Sequence, residues 1–363
     1  MSVSMDFNPD WVSPPGHTLS DIMREKGLGV TELAAETGIS EIEISSVVDG
    51  SSRISLSVAE SLSLFLGTSK DFWLNRDKVY VASLDRQENV NWIQSLPYQS
   101  MAKNGWVPKT KNVEQKIRAC LDFFAVDSVP QWFEEYDDLL HSVAFRTSKS
   151  FDSLPEATVA WLQKARLSVG LNQYKWCRDE LRGRLDRIKR LSILKDPEVF
   201  IPKLNEELLA AGVSLVLLKC PDGCSASGAT YFDNSSKPIL LMSARYLSED
   251  HFWFTLFHEI GHLLLHSNNG QVFIEGNCEE SDEENEADDF ARNVIIPEEY
   301  FGEFMSLNAK QWRNIPRFAK KVGVSVGVLV GQMQFFKLVP HNYFNKFKAR
   351  YRWCSDSGRL LLK

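Results

Sequence analysis

Residues 257–266 read FHEIGHLLLH. His258 and His262 are four apart, which on a helix of 3.6 residues per turn sets them about 40° apart around the axis. Two imidazoles placed this way can hold one metal ion from the same side. Glu259 lies beside them, where a carboxylate can take a proton from a water that the metal activates. A hydrolytic zinc takes three protein ligands and keeps one position open, so a third donor must come from another segment. The flanking sequence, FWFTLFHEIGHLLLH over 252–266, is apolar nearly all round and predicts a buried helix. Buried His and Glu are costly unless partnered, and a metal is one arrangement that removes the cost. The competing reading is two histidines hydrogen-bonded in an ordinary core. Chance alone puts HExxH in a chain of this length on the order of 1% of the time.

The third donor is sought in NEADDFARNVIIP, 285–297. Ala287, Phe290, Ala291, Val294 and Ile295 form a helical stripe. Glu286, one turn before Phe290, borders that stripe and is favoured over Glu283, which lies nearer the helix start. The other acids here, Glu279, Glu280, Asp282, Glu284, Asp288 and Asp289, read as a solvated helix start, where carboxylates suit the macrodipole. His266 reads as an outer partner of a ligand or a satisfied core histidine; as a fourth ligand it would close the site. His251 falls near the helix start, and His17, His141 and His341 take no metal role. No residue is assigned to stabilise an oxyanion, since neither Tyr231 nor His341 is marked out by more than its type.

The chain that must position these groups has 363 residues, 44% hydrophobic and 25% charged, which suits two or three globular domains. The fold class expected is α+β, mostly α. Three domains are expected: a helix-turn-helix over 1–80, a helical middle region over 81–195, and a zincin-like domain with a small sheet over 196–363. Strands are expected at 213–218, 229–232 and 238–242, the last as an edge on which a substrate pairs. The middle region is aromatic-rich; Trp132, Trp161 and Trp176 read as core anchors. The basic segment from Arg178 to Arg190 reads as a solvated helix face. The six cysteines are scattered, with Cys220 and Cys224 the one close pair, and all read as reduced thiols. No export signal or membrane span is apparent, so a cytoplasmic location is expected.

Residues 17–80 read as four short helices with glycine stops, the layout of a helix-turn-helix. In the fourth, Leu56, Ala59, Leu62, Leu64 and Phe65 are expected to face inward. The net charge is −7, so any contact with nucleic acid requires a local basic patch. Between His17 and Tyr80 stand six basic residues against ten acids. The expected recognition helix, SEIEISSVV, carries Glu41 and Glu43 and no basic side chain, which opposes a phosphate backbone.

FWFTLFHEIGHLLLH followed by NEADDFARNVIIP resembles the ImmA/IrrE family of zinc metallopeptidases over roughly 196–305. The resemblance implies zinc, or manganese in its place, held by His258, His262 and Glu286, with Glu259 as general base. PPGHTL, VTELAAETGIS and SLSVAESLSLFLGTSKDFW resemble the XRE-type helix-turn-helix of the HigA/VapI antitoxin group. Together they imply a regulator that cleaves a repressor, an antitoxin or itself in a stress or mobile-element circuit. Its partners would be that protein substrate, a DNA operator and a toxin, with a homodimer as the default assembly. If the N-terminal domain binds DNA, Ser45, Ser46, Ser51, Ser52 and Arg53 are the expected contacts. The other reading is an antitoxin-like DNA-binding transcriptional regulator with a structural or sensory metal and no proteolysis.

Overall fold

The computed structural model describes residues 13–147, 154–170, 172–233, 237–266, 273–275, 282–354 and 357–363. The chain separates into two compact units, residues 1–94 and 95–363.

The first unit is built from α1 (Pro15–Lys26), α2 (Val30–Thr37), α3 (Glu41–Val48), α4 (Leu56–Leu66) and most of α5 (Lys70–Ser95). Ser40 and Ser55 cap α3 and α4, their hydroxyls accepting from the Glu43 and Val58 N–H groups, which satisfies donors that a helix start leaves unpaired. Leu19, Leu33, Ile44, Val47, Val58, Leu62 and Trp73 fill the centre. The inward face of α4 differs from the sequence expectation. Leu56 and Leu64 are exposed, Leu64 at 88%, while Val58, Ala59, Leu62 and Leu66 are buried. The helix is phased by Val58 and Leu62, one turn apart, so Leu64 falls on the opposite side.

The second unit begins with helices: α6 (Tyr98–Lys103), α7 (Val113–Phe124), α8 (Val129–Thr147), α9 (Pro155–Ser168), α10 (Arg178–Leu191) and α11 (Pro197–Ala210). Trp132 and Trp161 are fully buried, and Trp176 packs its ring edge against Phe232. The Trp161 indole N–H donates to the Leu218 carbonyl at 2.9 Å. Arg184 pairs with Glu180 and Glu207, and Lys189 with Asp186, so the basic helix α10 is answered by acids.

Strands β1 (Ser214–Leu217), β2 (Gly228–Phe232) and β3 (Pro238–Met242) follow, then α12 (Glu249–Leu265), β4 (Phe273–Glu275), α13 (Asp282–Ile295), α14 (Glu298–Met305), α15 (Asn314–Val322), α16 (Val326–Phe335), β5 (Tyr351–Trp353) and β6 (Leu360–Leu362). The main sheet runs β1-β3-β2-β4, with β3 parallel to β1 and antiparallel to β2, and β2 antiparallel to β4. β3 is therefore interior and buried along its whole length. This overturns the expectation that 238–242 is an edge open to a substrate, since both its flanks are already hydrogen-bonded. The outer strands are β1 and β4.

Helix α12 lies on β2 and β3 and is buried on almost every side. Phe252, Trp253, Leu256, Phe257, Ile260, Leu263 and Leu264 all face the core, and Phe200 of α11 meets Phe252 and Trp253 at ring separations of 5.3 and 5.2 Å. Among the described residues, no helix is long and apolar enough to cross a membrane.

The first turn of α12 buries two carboxylates. Asp250 is paired with the Lys348 ammonium at 2.5 Å. Glu249 is fully buried, and burial, opposed by the Ala349 backbone and Lys195, pushes its carboxyl up to about 7 from 4.5. A raised folded-state pKa means that the protonated form is favoured by folding. Stability from this group is complete below about pH 4.5 and falls as pH rises through 7. Glu249→Gln is expected to leave the melting temperature near wild type at pH 5 and to raise it at pH 8, by a difference worth at most about 3.4 kcal/mol. Thermal unfolding followed by circular dichroism at both pH values checks this.

Candidate metal centre

Helix α12 presents His258, Glu259 and His262 to a space bounded by β2 and α13. All three are buried, none more than 2% exposed. The two imidazole Nε2 atoms face one another at 3.0 Å. The Glu284 carboxylate meets them, 3.0 Å from His258 Nε2 and 3.6 Å from His262 Nε2. One donor atom from each of these three residues fits within a 4.8 Å span.

The outer ring nitrogens are held separately. His258 Nδ1 is 2.9 Å from Asp288 Oδ1, and Asp288 is itself held by Arg292 Nη2 at 2.6 Å. His262 Nδ1 is 3.2 Å from His266 Nδ1, and His266 Nε2 is 2.8 Å from Glu286 Oε2. A carboxylate accepts only, so Asp288 fixes the proton of His258 on Nδ1, and Glu286 fixes that of His266 on Nε2. His266 Nδ1 then accepts from His262 Nδ1–H. With these tautomers, both inner Nε2 atoms carry lone pairs that point at an anionic carboxylate. Three acceptors converging on one space suit a cation. This pattern of inner donors and outer carboxylates is the one metal-binding histidines use.

The acid–base balance agrees. Burial pushes the His262 imidazole down, outweighing Glu284, so the ring is neutral. Burial would raise the Glu284 carboxyl, but its contacts with the His258 and His262 rings, which can share a proton with it when no ion is bound, overcome burial and hold the group well below the usual carboxylate range. Two imidazoles and one carboxylate are a donor set that fits zinc.

The sequence reading placed Glu286 on the metal and Glu284 in solvent. In the structure Glu284 is the one that meets the two histidines, and Glu286 reaches His266. Glu284 has a side chain 17% exposed and lies on the histidine pair; Glu286, 64% exposed, reaches His266 instead. The reason is the phase of α13. Its buried stripe is Ala287, Ala291 and Ile295, one face of the helix shared with Glu284 and Asp288, and Glu286 lies about 100° off it. Asp288, read as solvated, is the outer partner of His258. Glu283 is half-buried, Asp282 and Asp289 are exposed, and Glu279 and Glu280 lie outside the described residues. His266 touches the outer nitrogen of His262, not the inner space.

Glu259 is seated from the other side. The Thr230 hydroxyl of β2 donates to its Oε2 at 2.6 Å, and Gly228 lies against the carboxyl so closely that a Cβ there would stand 2.4 Å from Oε1. Tyr231 is turned away: its hydroxyl donates to the Leu162 carbonyl at 2.9 Å.

The serines and the arginine expected at DNA are exposed, save the half-buried Ser46, but mostly engaged within the first unit. Ser46 Oγ donates to the Ile42 carbonyl, Ser51 Oγ to Asp49, and Ser52 Oγ lies 3.5 Å from the Arg53 carbonyl. Ser45 is exposed on α3. Arg53 forms a two-pronged pair with Asp77, Nε at 2.9 Å and Nη2 at 2.6 Å from Oδ2. Position 77 is 24 residues away, and nothing local in the sequence marked it.

Residues 211–332 match the family model of the IrrE N-terminal-like domain, Peptidase_M78. The matched stretch holds the sheet's first three strands, α12 and α13, and so every residue of the centre. No curated protein matches the chain. A solved structure similar to part of it is an addiction module antidote protein of a HigA family from Coxiella burnetii. That likeness is 23% identical, covers 23% of this chain and 90% of that chain, and has a TM-score of 0.21.

Zinc titration of the apo protein separates the two glutamates. Glu284→Gln is expected to weaken binding by more than about 100-fold, Asp288→Asn by about 10- to 100-fold, and Glu286→Gln by less than about tenfold. Equal losses at 284 and 286 would overturn the ligand assignment.

Proposed function

We propose that this protein is a zinc-dependent endopeptidase that cleaves a protein, with His258, His262 and Glu284 holding the ion and Glu259 as general base. The observation that supports it best is the placement of Glu259. A purely structural zinc site needs no second buried carboxylate beside its ligands, yet one is held here by Thr230 and Gly228. Manganese suits the same donors less well, having a preference for oxygen ligands. An ion bound there supplies Lewis-acid polarisation of a peptide carbonyl and makes a water more acidic.

The chain's own residues do the rest. Asp288 and the His266–Glu286 pair keep the protons of His258 and His262 on their outer sides, so the inner nitrogens stay donors. Glu259 takes the proton of the attacking water and returns it to the departing amine. Thr230 orients that carboxylate so that its free movement is small. A substrate in extended form is received by β4, the outer strand next to β2, because β4 pairs Glu275 with Gly228 at the level of Glu259; backbone pairing of this kind is sequence-tolerant. The substrate class this favours is a protein with an exposed or unfolded segment, a repressor, an antitoxin or another copy of the chain.

The regulator reading, with DNA contact by the first unit and a non-catalytic metal, gains less support. The exposed face of α3 shows Glu41, Ile42 and Glu43, and Arg53 is already neutralised by Asp77. We assign the first unit to protein recognition, of the substrate or of a second copy. Labelled duplex DNA is expected to show no binding by fluorescence anisotropy at physiological salt; micromolar binding with a steep salt dependence would restore the operator-binding reading.

Glu259→Gln decides between enzyme and regulator. Incubated with zinc and the proteins encoded beside it, the wild type is expected to yield fragments detectable by mass. The variant is expected to lose cleavage by at least about 10³-fold, near the upper range for general-base catalysis, while retaining one zinc per chain. Unchanged cleavage in the variant would sink the proposed mechanism.

A further inference from the structure

Cys220 and Cys224 bracket the turn CPDGC between β1 and β2. The spacing is one residue longer than the CxxC of dithiol oxidoreductases, yet the fold brings the two sulfurs to 3.3 Å. Neighbours hold the turn. The Cys224 N–H donates to the Pro221 carbonyl at 3.1 Å, and the Gly223 carbonyl accepts from the Leu154 N–H at 2.7 Å. The Asp222 N–H donates to Ser100 Oγ at 3.1 Å. Just beyond, the Ala226 carbonyl accepts from both Cys220 Sγ and Ser243 Oγ, at 3.4 and 2.7 Å. Two residues later comes Gly228, the backbone that seats Glu259.

A disulfide requires sulfurs about 2.05 Å apart, so the pair must close by about 1.3 Å, within reach of side-chain rotation in a turn whose ends are fixed. Both residues are partly exposed, whereas Cys120 is fully buried. The two thiols are also unequal. Hydrogen bonding with Cys220 outweighs burial, with the Ala226 backbone, Thr158 and Arg245 adding to the effect, so Cys224 is held below its ordinary value. Burial and the neighbouring sulfur push Cys220 well up. One nucleophilic thiol beside one protonated thiol is the arrangement of a reactive cysteine with its resolving partner.

We propose that Cys220 and Cys224 form a peroxide-responsive dithiol, which a hydroperoxide converts reversibly to a Cys220–Cys224 disulfide at the foot of β2. In the first step the Cys224 thiolate attacks one peroxide oxygen. The O–O bond breaks, the leaving hydroxide is protonated to water, and Cys224 becomes a sulfenic acid. In the second, the Cys220 sulfur attacks the Cys224 sulfur. The S–O bond breaks as the S–S bond forms, and the hydroxide leaves as water with the Cys220 proton. Two thiols lose two electrons, and one peroxide becomes two waters. A dithiol reductant reverses the change. The site is independent of the peptidase reading and is tested without it.

The experiment exposes the full-length protein to graded hydrogen peroxide, blocks remaining thiols with a maleimide under denaturing conditions, and maps peptides by mass. The expected product is a Cys220–Cys224 linkage two hydrogens lighter than the dithiol. It should form at a dose about tenfold below that which modifies Cys177, because Cys224 has a resolving thiol 3.3 Å away, and be undone by dithiothreitol. In Cys220→Ser, dimedone is expected to label Cys224 as a sulfenic acid; in Cys224→Ser, Cys220 is expected to stay unlabelled. Oxidation of Cys224 directly to the sulfinic acid in the wild type would overturn the proposal. So would bridging to any other cysteine, or an unmodified pair at doses that oxidise Cys177.

Discussion

The close approach of α12 to α13 is the constraint on which the metal centre depends. Gly261, between the two histidines, faces Ala287; a Cβ at 261 would stand 3.2 Å from the Ala287 Cα and 3.1 Å from the Phe290 ring. Two of the smallest residues therefore meet where the helices are nearest, and neither can grow without pushing the helices apart. That separation brings Glu284 and Asp288, on either side of Ala287 along one face of α13, to the inner and outer nitrogens of His258. A bulkier residue at 261 would displace one donor and its outer partner together. The site is thus set by backbone packing first and by its polar contacts second.

Around this contact, charge is arranged in shells. The inner space holds two imidazoles and one carboxylate, and the outer ring of Asp288, Glu286, His266 and Arg292 fixes which nitrogens keep their protons. Burying these groups is unfavourable in itself. Each finds a partner of opposite sign or complementary donor capacity, and the apolar residues of α12 that surround them keep water from competing. Glu259 is held apart from this network, on the β2 side, so its protonation can change without disturbing the donors.

Much of this could be read from residue order. The histidine spacing, the buried helix, the three strands and the small acidic-to-apolar helix were all visible, because each is a local pattern of period two or 3.6. What was hidden depended on contacts distant in sequence. That Glu284, read as solvated, meets the histidines while Glu286 does not turns on whether Phe290 or Ala287 marks the innermost face of α13. Size argues for Phe290, but the closest packing selects the alanine because Gly261 lies opposite. The interior position of β3 follows from a strand order that no single segment encodes. Likewise Arg53 looked available for phosphate because its partner, Asp77, lies in the next helix but one.

The three inner donors come from positions 258, 262 and 284, on two helices that the chain reaches by way of a connecting segment and the strand β4. An ion gripping all three is therefore also a crosslink, closing the loop that carries β4 across the face of α12. An ion held there would firm the anchorage of that outer strand, and its loss would loosen the same edge, because binding energy gained only in the folded state is also folding energy.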